Sequence, residues 1–243
     1  MTRFTRILPA ALALLTLFAL PVRAAVDIQT VTSPGGITAW LVQEENIPFT
    51  ALEIRFRGGT SLDTPDTSGA VNLMTALIEE GTGDLDAQGF AAARDSLAAS
   101  FGFASDSDTV GVSAQFLTEN RDQALVLLHD ALTVPRFDQD AVDRVREQVL
   151  STLRSNAKDP GAIASDLERA RSFGDHPYGT DGEGTIDSVT ALTRDDVVAA
   201  WQGAMARDRI YVAAAGDITA VELGALLDKL LSDLPETGWP MPP

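Results

Sequence analysis

The stretch Ser68–Thr82, SGAVNLMTALIEEGT, constrains this chain more than any other. Ala70, Leu73, Met74, Leu77 and Ile78 recur at i, i+3, i+4, i+7 and i+8. That spacing predicts a helix over 68–82 with one apolar stripe to bury. Thr67 or Ser68 is placed to cap its start, and Gly81 to end it in a left-handed turn. The opposite face carries Asn72, Thr75, Ala76 and Glu79 at the same spacing. A helix that offers two ligands and a base to a metal ion does so at i, i+3 and i+4. Here those three positions hold an amide, a hydroxyl and a methyl group.

The first residues belong to a leader rather than to the fold. Arg3 and Arg6 make a basic start, Ile7 to Leu20 is mostly apolar, and Val22-Arg23-Ala24 ends in small residues at the −3 and −1 positions. This is the pattern of a secretory signal peptide over residues 1–24, which places the mature chain in the periplasm or outside the cell. The leader holds three arginines and no acid, so the rest of the chain is more negative than the whole, whose formal charge is −17. Such a surface repels nucleic acid and anionic membrane, which excludes both as main partners once the leader is removed. The absence of cysteine excludes thiolate chemistry, and the two histidines, His129 and His176, limit imidazole chemistry.

Ile28–Thr32 and Ile37–Gln43 read as strands around the turn Ser33-Pro34-Gly35-Gly36. From Ala51 to Arg57, Leu52, Ile54 and Phe56 alternate with Glu53, Arg55 and Arg57, the pattern of a half-buried strand. Asp86 caps a helix to Ala99, and Phe101–Ser105 and Thr109–Leu117 form a hairpin around Asp106-Ser107-Asp108. Helices follow over 119–132, over 138–158 with Val142, Val145, Val149 and Leu153 on one stripe, and from Asp159-Pro160 to Phe173. Gly174–Thr185 is a loop by composition. Thr193 caps the next helix, 209–215 is a strand, and Thr219 with Glu222 makes a capping box for the last helix. The order of elements predicts an α+β fold, a largely antiparallel mixed sheet with helices packed on one face, over residues 25–234. The segment 235–243 reads as the start of a Pro-rich linker toward a second domain, leaving Trp239 and Met241 exposed.

Several short motifs occur in a fixed order: Arg57-Gly58-Gly59-Thr60-Ser61-Leu62-Asp63 before Ser68-Gly69, Gly81-Thr82 after the central helix, Val134-Pro135-Arg136-Phe137, and Phe173-Gly174-Asp175-His176-Pro177-Tyr178-Gly179 followed by Gly184-Thr185, Leu192-Thr193 and Asp195-Asp196-Val197. In this order and spacing the chain resembles the insulinase/pitrilysin family of zinc metallopeptidases, which includes the mitochondrial processing peptidase subunits. The resemblance covers nearly all of 26–235. It implies the family's α+β domain and its H-x-x-E-H element on the central helix, two His binding zinc and the Glu activating water. Carried over through the flanking glycines, the first ligand position falls on Asn72, the base on Thr75 and the second ligand on Ala76. Carried back from Asp159-Pro160, the third ligand, a Glu in active relatives, falls on Thr152.

A catalytic zinc takes about three donors from His, Cys or carboxylate. Ala76 offers none, Thr75 is no base at neutral pH, and Asn72 is a weak ligand. The expectation is therefore no catalytic residue and no metal, with zinc confined to active relatives. Glu79 and Glu80 alone would make a weak site for a hard cation, or are solvated helix-end carboxylates. The resemblance also implies that an extended peptide adds to a sheet edge beside the metal position. The matching stretch is Phe101, Gly102, Phe103, Ala104 and Ser105, which reads otherwise as a short edge strand. Three functions remain open. One is a non-catalytic partner that helps an active insulinase-like peptidase subunit enclose peptide substrate. Another is an active zinc endopeptidase with a rearranged or downstream site. The third is a stand-alone peptide-binding protein.

Overall fold

The computed structural model describes residues 26–241, so the leader read over 1–24 lies outside the described residues. The strands are β1 (Gln29–Thr32), β2 (Thr38–Gln43), β3 (Phe49–Arg57), the two-residue β4 (Gly81–Thr82) and β5 (Leu85–Asp86), β6 (Ser100–Ser105), β7 (Thr109–Leu117) and β8 (Ile210–Gly216). The helices are α1 (Ala70–Leu77), α2 (Ala87–Ser96), α3 (Arg121–Thr133), α4 (Gln139–Asn156), α5 (Pro160–Phe173), α6 (Ile186–Ala191), α7 (Arg194–Ala204) and α8 (Ala220–Leu231).

Alternation builds the main sheet. Leu52, Ile54 and Phe56 of β3 and Val110, Val112, Ala114 and Phe116 of β7 all point into the core, and the two strands pair antiparallel with Ile54 opposite Val112. The six strands run in the order β1-β2-β8-β3-β7-β6, every pair antiparallel except β2 with β8. That parallel pair joins residue 39 to residue 212, so almost the whole chain folds between its two strands. The sheet is thus the mixed, mostly antiparallel one that the alternation predicts. Its other face presents Glu53, Arg55, Trp40, Tyr211 and Ala213 to solvent or to partial cover.

The central helix packs between the sheet and the outer helices, touching β6, α4 and α7. Ala70, Leu73, Met74, Leu77 and Ile78 are all fully buried, and Val71 joins them. Its ends differ from expectation. The α-helix covers only Ala70–Leu77 and tightens into a 3₁₀ turn over Ile78–Glu80. Gly69 sits at the N-cap with φ 92°, a left-handed conformation that favours glycine, and neither Thr67 nor Ser68 caps the helix. The cap comes from outside the helix. The Asp63 carboxylate accepts from the Gly69 and Val71 N–H groups at 2.9 and 3.2 Å. Gly81 has φ 135° and ψ 152°, an extended glycine conformation rather than a left-handed turn, because it opens β4 and accepts from Arg136 N at 3.1 Å.

Elsewhere the caps follow the sequence. Asp86, Asp159, Thr193 and Thr219 each accept a hydrogen bond from the first turn of their helix. Sequence pattern does not signal α6, a single short helix held by a reciprocal Thr185–Ser188 box and tied to the central helix by Ser188 Oγ donating to Ser68 O at 2.8 Å. The tail is also docked rather than free. The Trp239 ring lies over Gly203 with no room for a Cβ between them, and Trp239 N donates to Gly203 O at 2.9 Å. Met241 stays exposed as expected.

Truncating the central helix inside the core tests its weight in the fold. Leu73→Ala is expected to cost about 2–5 kcal/mol by urea unfolding, whereas Ala76→Ser, on the exposed side of the same helix, stays within about 0.5 kcal/mol.

Candidate functional site

The outward side of α1 faces a polar cavity of about 330 Å³, bordered by Asn72, Thr60, Ser105, Asp106 and Glu183. Four segments bring these residues together, Thr60 coming from the 3₁₀ turn Gly59–Leu62 after β3. The helix supplies Asn72, the end of β6 and its turn supply Ser105 and Asp106, and the loop before α6 supplies Glu183. The turn is set by Asp106, whose carboxylate accepts from the N–H groups of Asp108 and Thr109, both at 2.8 Å. The loop is set by Asp181 and His176. Asp181 accepts from Arg169 at 3.1 Å and from Glu183 N at 3.0 Å. His176 Nδ1 accepts from Tyr178 N at 3.2 Å, the loop-fixing role its motif suggests. Tyr178 Oη donates to Asp108, which ties the loop to the β6–β7 turn and pushes the phenol pKa up.

Of the four positions that the resemblance gives to ligands and base, Asn72 alone borders this cavity, where it meets Ser105 from the predicted edge strand. Thr75 is buried beneath it, and its hydroxyl is spent on Val71 O at 2.8 Å. Ala76 is exposed and offers no donor. Thr152 does not share the packed stripe of α4. It is exposed while Val145 is buried, and its hydroxyl bonds back to Gln148 O at 3.3 Å. Glu79 pairs with Arg94 at 3.0 Å, and Glu80 forks onto Arg144 at 3.1 and 2.7 Å, so arginines already hold both carboxylates. Among the described residues no three His, Cys, Asp or Glu side chains gather as a metal site. The donors on this helix do not fit a catalytic zinc. His129 lies elsewhere, on α3, between Asp130 and Asp233 at 3.2 and 3.1 Å.

Phe101–Ser105 lies within β6, which pairs with β7 on one side and ends the sheet on the other. Phe101 is buried, Gly102, Phe103 and Ser105 are half-buried, and Ala104 is exposed. The last residue of this strand therefore runs into the polar cavity. Glu183 and Asp63 are missed by sequence reasoning. Glu183 Oε2 has no hydrogen-bond partner, and burial with the nearby Asp181 and Asp166 pushes its pKa up. No local pattern marks either residue, because each acts on a segment distant in the chain.

Comparison with known proteins places these features in context. The family model described as Insulinase (Peptidase family M16) matches residues 39–182. The chain is 27% identical over 198 residues to the non-peptidase homolog YmxG of Helicobacter pylori, covering 81% of this chain and 46% of that protein. It is 25% identical over 191 residues to the uncharacterized zinc protease SCO5738 of Streptomyces coelicolor, covering 79% of this chain and 42% of that one. A crystal structure of a peptidase M16 inactive domain from Pseudomonas fluorescens superposes with a TM-score of 0.84 at 25% identity, covering 88% of this chain and 52% of that chain. The chain thus spans about half the length of the relatives it matches.

The capping carboxylate gives this site a pH signature. Burial pushes the Asp63 carboxyl up to about 7, against the backbone N–H donors that favour its charged form. The folded value lies above the ordinary 3.8, so folding takes up a proton. The stabilisation is complete below the unfolded value and is lost as pH rises through about 7. The urea midpoint of the wild type is expected to fall between about pH 4 and 7 relative to that of Asp63→Asn, which lacks this titration. Parallel pH curves for the two proteins would contradict it.

Proposed function

This chain belongs to the insulinase family, peptidase family M16, and from that premise we propose that it is a member without catalytic zinc that binds peptide as the partner of an active peptidase subunit. One observation carries this reading. The face of α1 on which the family places ligand, base and ligand holds Asn72, Thr75 and Ala76, and the carboxylates that follow it in the chain, Glu79 and Glu80, are paired with Arg94 and Arg144. Thr75 cannot take a proton from water at neutral pH, and its hydroxyl already donates to the helix backbone. The names of the Helicobacter pylori and Pseudomonas fluorescens relatives, non-peptidase homolog and inactive domain, support the same reading.

The same reading assigns the peptide, as an extended chain, to the edge of the sheet. An added strand would hydrogen-bond to the open edge of β6, with alternate side chains reaching the polar cavity at Ser105 and Asn72. The partner in this reading is an active insulinase-like subunit that supplies the zinc and the cut. The compartment is the periplasm or the exterior, on the strength of the leader pattern at 1–24.

Protein purified without chelator is expected to hold no stoichiometric zinc by elemental analysis and to leave unstructured peptides intact. The quadruple variant Asn72→His, Thr75→Glu, Ala76→His and Thr152→Glu is expected to take up some zinc, since i, i+4 spacing on a helix is kept, with activity remaining low for want of supporting groups. Near-stoichiometric, chelator-removable zinc in the wild type would overturn the reading. The partner role is tested by co-expression with a sister chain that carries H-x-x-E-H. A stable complex that cleaves peptide faster than the sister alone is expected, with slowed amide exchange at residues 101–105 when peptide is present. A sister whose cleavage is unchanged, with no complex on size exclusion, removes the partner role and leaves a stand-alone peptide binder.

A further inference from the structure

β1 ends the sheet on the side away from β6, and its backbone groups divide between the two sides of the strand. Ser33 N donates to Ile37 O at 2.8 Å, and the register continues with Val31 opposite Ala39 and Gln29 opposite Leu41. An antiparallel ladder bonds every second pair, so Gln29 and Val31 face β2, while Thr30 and Thr32 turn their N–H and C=O groups outward. Open edges are usually guarded by charge, by proline or by a bulge. β1 carries no charge and no proline, and its register with β2 is unbroken. From Ile28 to Gln43 the chain has no charged residue, the longest such run outside the leader. Other uncharged runs, such as 67–78 and 109–118, lie mostly inside the fold, whereas Thr30, Thr32 and Thr38 are exposed.

Helix α8 gives this edge an apolar shoulder. Gly224 lies against Ser33 and Pro34, and Asp228 accepts from Gly35 N at 2.9 Å, so its carboxylate is held by the turn. Val221 stands three residues before Gly224 and seven before Asp228, on the same side of the helix, and is 84% exposed. Ile28, just ahead of β1, is 61% exposed. Charge selects what can sit here. Two copies of a chain with formal charge −17 repel over most of their surface, but the 28–43 hairpin brings no charged side chain to a contact. Symmetry selects the register. The outward groups belong to even-numbered residues, so a two-fold axis at Thr30 lets Thr30 exchange both backbone bonds with itself. Ile28 then falls opposite Thr32 of the other copy on either side. The two Asp27 carboxylates end up about 20 Å apart, beyond the screening length of about 10 Å. The β6 edge offers no equivalent, because it ends beside Asp106, Asp181 and Glu183.

We propose that β1 pairs antiparallel with β1 of a second copy of this chain, across a two-fold axis at Thr30, so that the two sheets become one. The α8 helices of the two copies come alongside beneath the joined strands, with Val221 at their contact. The pairing is independent of peptide binding at β6, which stays free at both outer ends of the joined sheet. A four-residue strand edge and one helical shoulder bury little area, so the dimer is weak and reversible, in the micromolar range.

Sedimentation equilibrium of the purified protein up to about 1 mM tests it, with a reversible monomer–dimer equilibrium expected for the wild type. Thr30→Pro removes the donor at the axis and is expected to weaken the dimer about tenfold or more, at a position where an edge strand tolerates proline. Thr30→Glu and Thr30→Lys each set like charges opposite one another and are expected to weaken it about fivefold. An equal mixture of these two variants is expected to return to within about twofold of the wild type, since Glu then faces Lys across the axis. Val221→Glu is expected to weaken the dimer as well. Ile163→Glu, exposed on α5, is expected to leave it unchanged, because α5 packs on the loop tied to the β6–β7 turn. Thr30 and Val221 are exposed, so the variants should keep the wild-type circular dichroism. A chain that stays monomeric at about 1 mM would overturn the proposal. So would a dimer that Thr30→Glu leaves intact, or a Glu–Lys mixture no stronger than either variant alone. A dimer that Ile163→Glu dissolves would place the contact beside the other edge and overturn it too.

Discussion

A helix of eight residues is too short to hold itself together in water. α1 exists because β6, α4 and α7 close around it. Its larger fully buried side chains, Val71, Leu73, Met74 and Leu77, each contribute on the order of 1.5–3 kcal/mol of transfer free energy, which offsets the cost of ordering so short a segment. Its start cannot be left unsatisfied at that depth. Asp63 reaches across from the preceding turn to take two of its orphan N–H groups, and Gly69 adopts the left-handed conformation that lets the chain arrive at that angle. The sheet, the outer helices and the polar cavity are all positioned from this one buried helix.

That arrangement explains how catalytic groups can be absent without loss of the fold. The residues that pack the core occupy one side of α1, and the positions that a zinc site would use lie on the other. Asn72, Thr75 and Ala76 bring no charge there whose partial burial would cost solvation. Thr75 illustrates the settlement. It is buried, but its hydroxyl is satisfied by the carbonyl one turn back, a bond that a helix can always supply. Glu79 and Glu80 likewise reach arginines on α2 and α4, so the helix end carries no uncompensated charge.

Much of this was legible in the sequence, and the limits have physical causes. Asp86, Asp159, Thr193 and Thr219 are caps whose partners lie three residues away, so a local reading finds them. The alternation of Leu52, Ile54 and Phe56 likewise reveals which face of β3 is buried. Asp63 caps from six and eight residues away and Glu183 meets the cavity from another loop, so neither has a local signature. The parallel pairing of β2 with β8 depends on everything folded between them. Trp239 looked exposed because its cover, Gly203, is a missing side chain in α7, which no hydrophobic pattern can announce. Thr152, the position that the resemblance gives to a third ligand, lies on the solvent side of α4.

The distribution of charge connects the fold to how such a domain meets others. The chain has 35 acids against 18 bases, and many of the arginines are consumed at home, on Glu79, Glu80, Asp138, Asp181 and Glu222. Pairs this exposed add little to stability, about 0–1 kcal/mol each. Their larger effect is to remove positive charge from the outer surface and leave most of it acidic. An acidic partner is then repelled over most orientations of approach. Like-charge contact costs more than a rim ion pair returns, so the repulsion does more than the attraction to fix how two such domains come together. An acid excess of this size thereby also restricts where a protein partner can sit.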